Sequence, residues 1–134
     1  MRVPRLYLER AQKALRISEH LLEIGEPDSA ASKLYYACFY GAQALLETRN
    51  LRFSRHGQVI AQFGLHFAKP GLIDARFHRL LDTAFELRQI ADYQIEVVID
   101  SDHVRELLQE GRQFLEAASK YLEQLSMIKE DSET

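Results

Sequence analysis

The sequence predicts an all-α fold: one antiparallel, up-and-down bundle of about five helices, four long and one short. Three observations carry this. Apolar residues recur at alternating spacings of three and four along most of the chain. The prolines Pro4, Pro27 and Pro70 and the glycines Gly25 and Gly71 fall at the edges of those stretches. The one run that favours extended backbone, Val97-Val98-Ile99, has no second strand to pair with.

The first helix is expected from about Pro4 to Ile24, with Pro4 at a first helical position and Gly25 as the stop. Leu8, Ala11, Leu15, Ser18 and Leu22 form its inner face, and Glu9, Lys13, Arg16, Glu19 and Glu23 take the other side. Glu26-Pro27-Asp28 breaks and restarts the chain. The second helix then covers roughly Ser29 to Arg49, with Asp28 or Ser29 as cap and Asn50 ending it in a left-handed conformation. It is apolar almost all round, through Leu34, Cys38, Gly41 and Leu45 on one stripe and Tyr35, Phe39, Ala42 and Leu46 on the next, which predicts a central position. Its remaining face reads Lys33, Tyr36, Tyr40, Gln43 and Glu47, two phenols among polar groups. Ala37, Gly41 and Ala44 are small enough to admit a neighbouring helix, within the chain or from a second copy.

The third, shorter helix begins after Ser54, carries Val59, Ile60, Phe63 and Phe67, and ends before Lys69-Pro70-Gly71. The fourth runs from about Asp74 to Asp92 with Phe77, Leu80, Ala84, Leu87 and Ala91 on its seam. Tyr93 to Ile99 reads as a connecting loop. The fifth starts near Asp100 or Ser101, with Val104, Leu107, Gly111, Phe114, Ala118, Tyr121 and Leu125 facing inward. Residues 1–128 thus form the bundle, and Lys129 to Thr134 a polar, frayed tail.

Composition narrows the function. The chain has 134 residues, enough for one domain to bury a core without covalent staples, and a single cysteine, Cys38, which excludes an internal disulfide. Histidine and cysteine show no zinc spacing, so no metal and no cofactor are expected. The start is charged, with no export signal and no membrane segment, which predicts a cytoplasmic address. The net charge of −3 argues against a surface that binds nucleic acid everywhere, while leaving room for a local basic groove. Arg49, Arg52, Arg55 and His56 crowd between the second and third helices, as either such a groove or a solvated loop. His56 also sits near the opening of the third helix, where free amides favour an anion, or where simple capping accounts for it. His20, His66, His78 and His103 stand singly, as surface or boundary residues, and Cys38 as an inert core thiol.

The chemically suggestive run is Glu86-Leu87-Arg88-Gln89-Ile90-Ala91-Asp92-Tyr93. Arg88 lies beside the apolar seam and Asp92 one turn further on the same face. A guanidinium there can clamp a phosphate with two parallel hydrogen bonds, and the carboxylate can hold it or move a proton. The alternative is an intrahelical ion pair worth a few tenths of a kcal/mol.

Ala31-Ser32-Lys33-Leu34-Tyr35-Tyr36-Ala37-Cys38-Phe39, Ala44-Leu45-Leu46, Arg55-His56-Gly57 and the Leu87 to Tyr93 run, in this order and at these separations, resemble the HEPN domain family. The resemblance extends from roughly Pro4 to Leu125 and is to the small stand-alone prokaryotic members. It implies a helical bundle that forms a homodimer and pairs with a minimal nucleotidyltransferase as toxin and antitoxin. In many members it also implies a metal-independent ribonuclease acting on RNA, whose motif is an arginine followed after four to six residues by a histidine. Arg88 matches the arginine, whereas four intervening residues here lead to Tyr93, so the motif histidine is absent. The resemblance therefore nominates Arg88, Asp92 and Tyr93 as catalytic residues and Arg88, Arg55 and His56 as nucleotide or RNA contacts. It also makes Tyr93 a candidate for modification by the nucleotidyltransferase. A non-catalytic nucleotide-binding or docking module and a purely structural adaptor stay open beside the ribonuclease.

Overall fold

A computed structural model describes residues 1–128 with their side chains. The stretch expected as a frayed tail over 129–134 is helical as far as Glu133, and residue 134 lies outside the described residues. Five α-helices follow in order: α1 (Arg2–Glu23), α2 (Pro27–Glu47), α3 (His56–Phe63), α4 (Arg76–Tyr93) and α5 (Ser101–Glu133). There is no strand among the described residues.

The four long helices run up and down. Arg5 on α1 donates to Ser126 on α5 at 2.9 Å, and Arg112 on α5 donates to Glu19 near the other end of α1 at 2.7 Å, so these two helices are antiparallel. Pairing of Tyr36 with Arg88 and of Ser32 with Asp92 makes α2 and α4 antiparallel as well. α2 packs against every other helix, as expected of a helix apolar on nearly all sides. Its small residues serve packing within the chain: a Cβ on Gly41 would stand 2.8 Å from Leu115 Cδ2 and 3.0 Å from Phe114 Cε2. Gly111 plays the same part on α5, facing Leu34, Leu15 and Cys38. Ser18, the polar member of α1's inner face, is buried and donates to the Ala30 carbonyl at 2.6 Å. That bond satisfies the hydroxyl and ties α1 to the first turn of α2.

Several boundaries differ from the expectation. α2 starts at Pro27 with Glu26 before it, and neither Asp28 nor Ser29 caps it. Proline at the first helical position has no amide to satisfy and its φ is already helical, so the chain turns in two residues earlier. At the other end Asn50 takes φ 59°, and Leu51 N–H closes on the Leu46 carbonyl at 3.1 Å, as expected of a left-handed stop. The third helix does not run regularly to Lys69. After Phe63 it widens into a π-helical turn, Gly64–Ala68, closed by Lys69 N–H on the Gly64 carbonyl at 2.8 Å. The His78 ring lies within 2.7 Å of where a Cβ on Gly64 would be, so the widened turn packs directly against α4. Residues 94–100 form the connecting loop, with Ile99 alone buried.

Candidate functional site

The antiparallel register of α2 and α4 sets the last two turns of α4 against the first half of α2. Leu87 goes into the core and leaves Arg88 at its edge, with 16% of its side chain exposed. The guanidinium is fixed from three directions. Nη2 donates to the Tyr36 hydroxyl at 3.2 Å. Nε lies 2.9 Å from Asp92 Oδ2, although its N–H is not aimed well enough to make a hydrogen bond of that contact. The rings of Tyr36, Tyr35 and Tyr93 stand 5.5, 5.9 and 5.9 Å from its central carbon, within cation–π range. Asp92 in turn faces Ser32 Oγ at 3.5 Å. Tyr93, one residue on, is 69% exposed. The Arg88–Asp92 contact is thus the i, i+4 pair that spacing allows, but it is set inside a phenol-walled recess rather than on open helix surface.

Tyr35 connects this recess to His56. Its ring is fully buried, and its hydroxyl is 2.7 Å from His56 Nδ1. Burial pushes the Tyr35 phenol well above its ordinary range, so it keeps its proton, and it shares one hydrogen bond with His56 whose direction follows the imidazole tautomer. The His56 ring stacks on Phe39 with centroids 4.6 Å apart. Its pKa is lowered, first by burial and second by the positive charge of Arg88. His56 is therefore a neutral ring at pH 7.

This has a measurable consequence. The unfolded chain takes up the His56 proton near pH 6.5, whereas the folded chain resists it to a lower pH. The stability tied to neutral His56 is present above about pH 6.5 and is lost as the pH falls below it. His56→Gln is expected to lose less melting temperature than the parent between about pH 7 and pH 5.5. Parallel decline of the two would show that His56 does not titrate with folding.

The basic residues between α2 and α3 go separate ways. Arg49 lies over the Phe67 ring at 4.8 Å, Arg52 is held by Glu47 at 2.6 Å, and His56 turns inward. Arg55 is exposed at the start of α3 and makes none of the contacts of the Arg88 recess. Cys38 is buried, and burial with the nearby Glu110 pushes its thiol up to about 12, which makes it inert. A larger open groove between α1 and α5 is lined by Glu19, Glu23, Asp102, Glu106 and Glu110, with Arg105 and Arg112. It holds none of the candidate residues, and its acidic lining would repel a phosphate. Spacing alone missed Tyr35, which reads as core, and Ser32. Both belong to the run that carried the resemblance.

Residues 4–123 match the family described as the HEPN domain. A Methanocaldococcus jannaschii protein named "Putative toxin MJ0142" is 32% identical over 126 residues, covering 94% of this chain and 86% of that protein. A second protein of that organism, "Putative toxin MJ0605", is 30% identical over 118 residues, covering 88% and 87%. A "UPF0332 protein" of Thermotoga maritima is 33% identical over 116 residues, covering 87% and 88%. Over nearly its whole length, therefore, the chain belongs to the HEPN domain family.

Proposed function

We propose that the chain is the toxin of a toxin–antitoxin pair whose antitoxin is a minimal nucleotidyltransferase, and that it acts as a homodimer on RNA, cleaving it without metal. The observation that carries this reading is the fixed guanidinium of Arg88, bound by Nη2 to Tyr36, with Nε buried against Asp92 and the Nη1 donors unspent on the protein. Toxin names among the relatives support the biological role.

Cleavage would proceed by attack of a ribose 2′-oxygen on the adjacent phosphorus, with loss of the 5′-oxygen and formation of a cyclic phosphate. Arg88 supplies positive charge where the phosphorane gathers negative charge, and a second copy across a two-fold doubles it. Asp92, beside Arg88, is the group placed to take the 2′-proton. Incubating the purified chain with end-labelled RNA in excess chelator is expected to yield fragments ending in a cyclic phosphate. If RNA is neither cut nor bound, the reading is wrong.

One observation favours a second reading. Where the family's ribonucleases place a histidine, this chain presents Tyr93, largely exposed beside Arg88. In that reading the recess docks a nucleotide or the nucleotidyltransferase, and the Tyr93 hydroxyl accepts a nucleotidyl group. RNA bound but uncut, together with a mass increase on Tyr93 after incubation with the partner and nucleotide, would select it.

A further inference from the structure

Beside the Arg88 recess, a second groove runs between α1 and α2, lined by Arg10, Lys13, Ile17, Lys33, Tyr36 and Tyr40. It is continuous with the recess, because Lys33 and Tyr36 also line the opening that reaches Ser32 and Asp92. Its lining holds three cations and no carboxylate, in a chain whose net charge is −3. Among the described residues none of the three cations has an ion-pair partner. All three are exposed.

The aromatic groups are ordered along it. The Arg10 guanidinium lies 5.8 Å from the Tyr40 ring, Tyr40 is 6.3 Å from Tyr36, and Tyr36 is 5.5 Å from Arg88. Cation, ring, ring and cation thus follow one another across α2, with Lys13 and Lys33 on either bank. From Lys33 to Tyr40 the helix rises about 10 Å. Single strands are held by this combination: positive charge tracks the backbone while flat faces take the bases, with no demand on sequence. A protein partner with an acidic surface would need the cations but not the ordered rings.

We propose that this α1–α2 groove binds single-stranded RNA and leads its backbone to Arg88. The inference rests on the RNA-directed reading of the Arg88 recess and adds to it a track for the strand beyond the reacting phosphate. The groove residues are then positioning residues, felt in binding rather than in chemistry.

The test is fluorescence anisotropy with a labelled, uncleavable 2′-O-methyl single strand of about a dozen nucleotides, titrated with the full chain from about 50 to 200 mM salt. The combined variant Arg10→Ala, Lys13→Ala, Lys33→Ala is expected to bind at least about tenfold more weakly at low salt. Its log–log salt slope should be shallower by about 2, three contacts at roughly 0.7 each. The charge-preserving variant Arg10→Lys, Lys13→Arg, Lys33→Arg should keep the parent slope. Tyr40→Phe should bind like the parent, whereas Tyr40→Ala should lose roughly 5- to 150-fold, the worth of one stacked base. Failure of the parent to bind the strand would overturn this inference and the RNA reading together. Weakened binding by Arg88→Ala beside an unaffected triple variant would overturn the groove alone. A triple variant that keeps the RNA but no longer captures the nucleotidyltransferase would also overturn it, making the groove a protein-docking face.

Discussion

Arg88→Ala is expected to slow RNA cleavage by roughly 100- to 1,000-fold while leaving the fold intact. A preorganised donor aimed at developing negative charge is worth about 3–4 kcal/mol in comparable sites, which is that factor in rate. Arg88 meets the structural condition for such a role. Its position is set by Tyr36 at 3.2 Å and Asp92 at 2.9 Å, and the surrounding rings shield it from bulk water, so little reorganisation is needed when charge develops. Arg88→Lys should recover only a small part of the loss, because an ammonium cannot present two parallel donors. Stability should fall by about 1–3 kcal/mol, because alanine gives up the packing of a side chain only 16% exposed against three rings as well as its ion pair. Single-turnover cleavage and thermal melting of the same samples separate the two effects. Cleavage by Arg88→Ala within threefold of the parent would remove the guanidinium from the chemistry.

The fold was legible because a helix repeats its inner face every three or four residues, and the long seams of α1, α4 and α5 display that repeat without interruption. The central place of α2 was legible for the opposite reason, its lack of a polar face broad enough for solvent. Local details that depend on a neighbour were not. The π turn Gly64–Ala68 accompanies the His78 ring on α4, which no spacing within the third helix reveals. Pro27, read as a breaker, instead begins the helix, because its fixed φ and missing amide suit that position.

Within the site the same division holds. Arg88 and Asp92 were visible as an i, i+4 pair, since both lie on one helix. Tyr36 is 52 residues away from Arg88, and Ser32 is 60 from Asp92, so their meeting follows from the α2–α4 register and not from any local pattern. The basic residues from Arg49 to His56, which the sequence left open between a groove and a solvated loop, show the same limit. Closeness in sequence did not make one surface, because Arg49 met a ring, Arg52 a carboxylate and His56 a buried phenol, while Arg55 stays exposed.

Tyr35 is where core and site become one structure, and its two substitutions should therefore diverge. The ring packs within 5.4–5.7 Å of Tyr36, Phe39, His56 and Phe85, and no part of it reaches solvent. Tyr35→Ala opens a cavity at that junction and should cost about 3–5 kcal/mol, seen as a fall in melting temperature of roughly 10–20 °C. Cleavage should fall with it even below the melting transition, because Arg88 loses one wall of its recess and His56 loses its anchor. Tyr35→Phe keeps the wall and removes only the hydroxyl. Its stability cost should be about 1 kcal/mol, limited because His56 is partly exposed and can turn its nitrogen to water. Cleavage by Tyr35→Phe should stay within a few fold of the parent, since Arg88 is held by the neighbouring Tyr36 hydroxyl and by Asp92. A Tyr35→Phe protein that melts like the parent but no longer cuts RNA would instead place the buried phenol in the reaction itself, and the division of labour between Tyr35 as support and Arg88 as actor would have to be reversed.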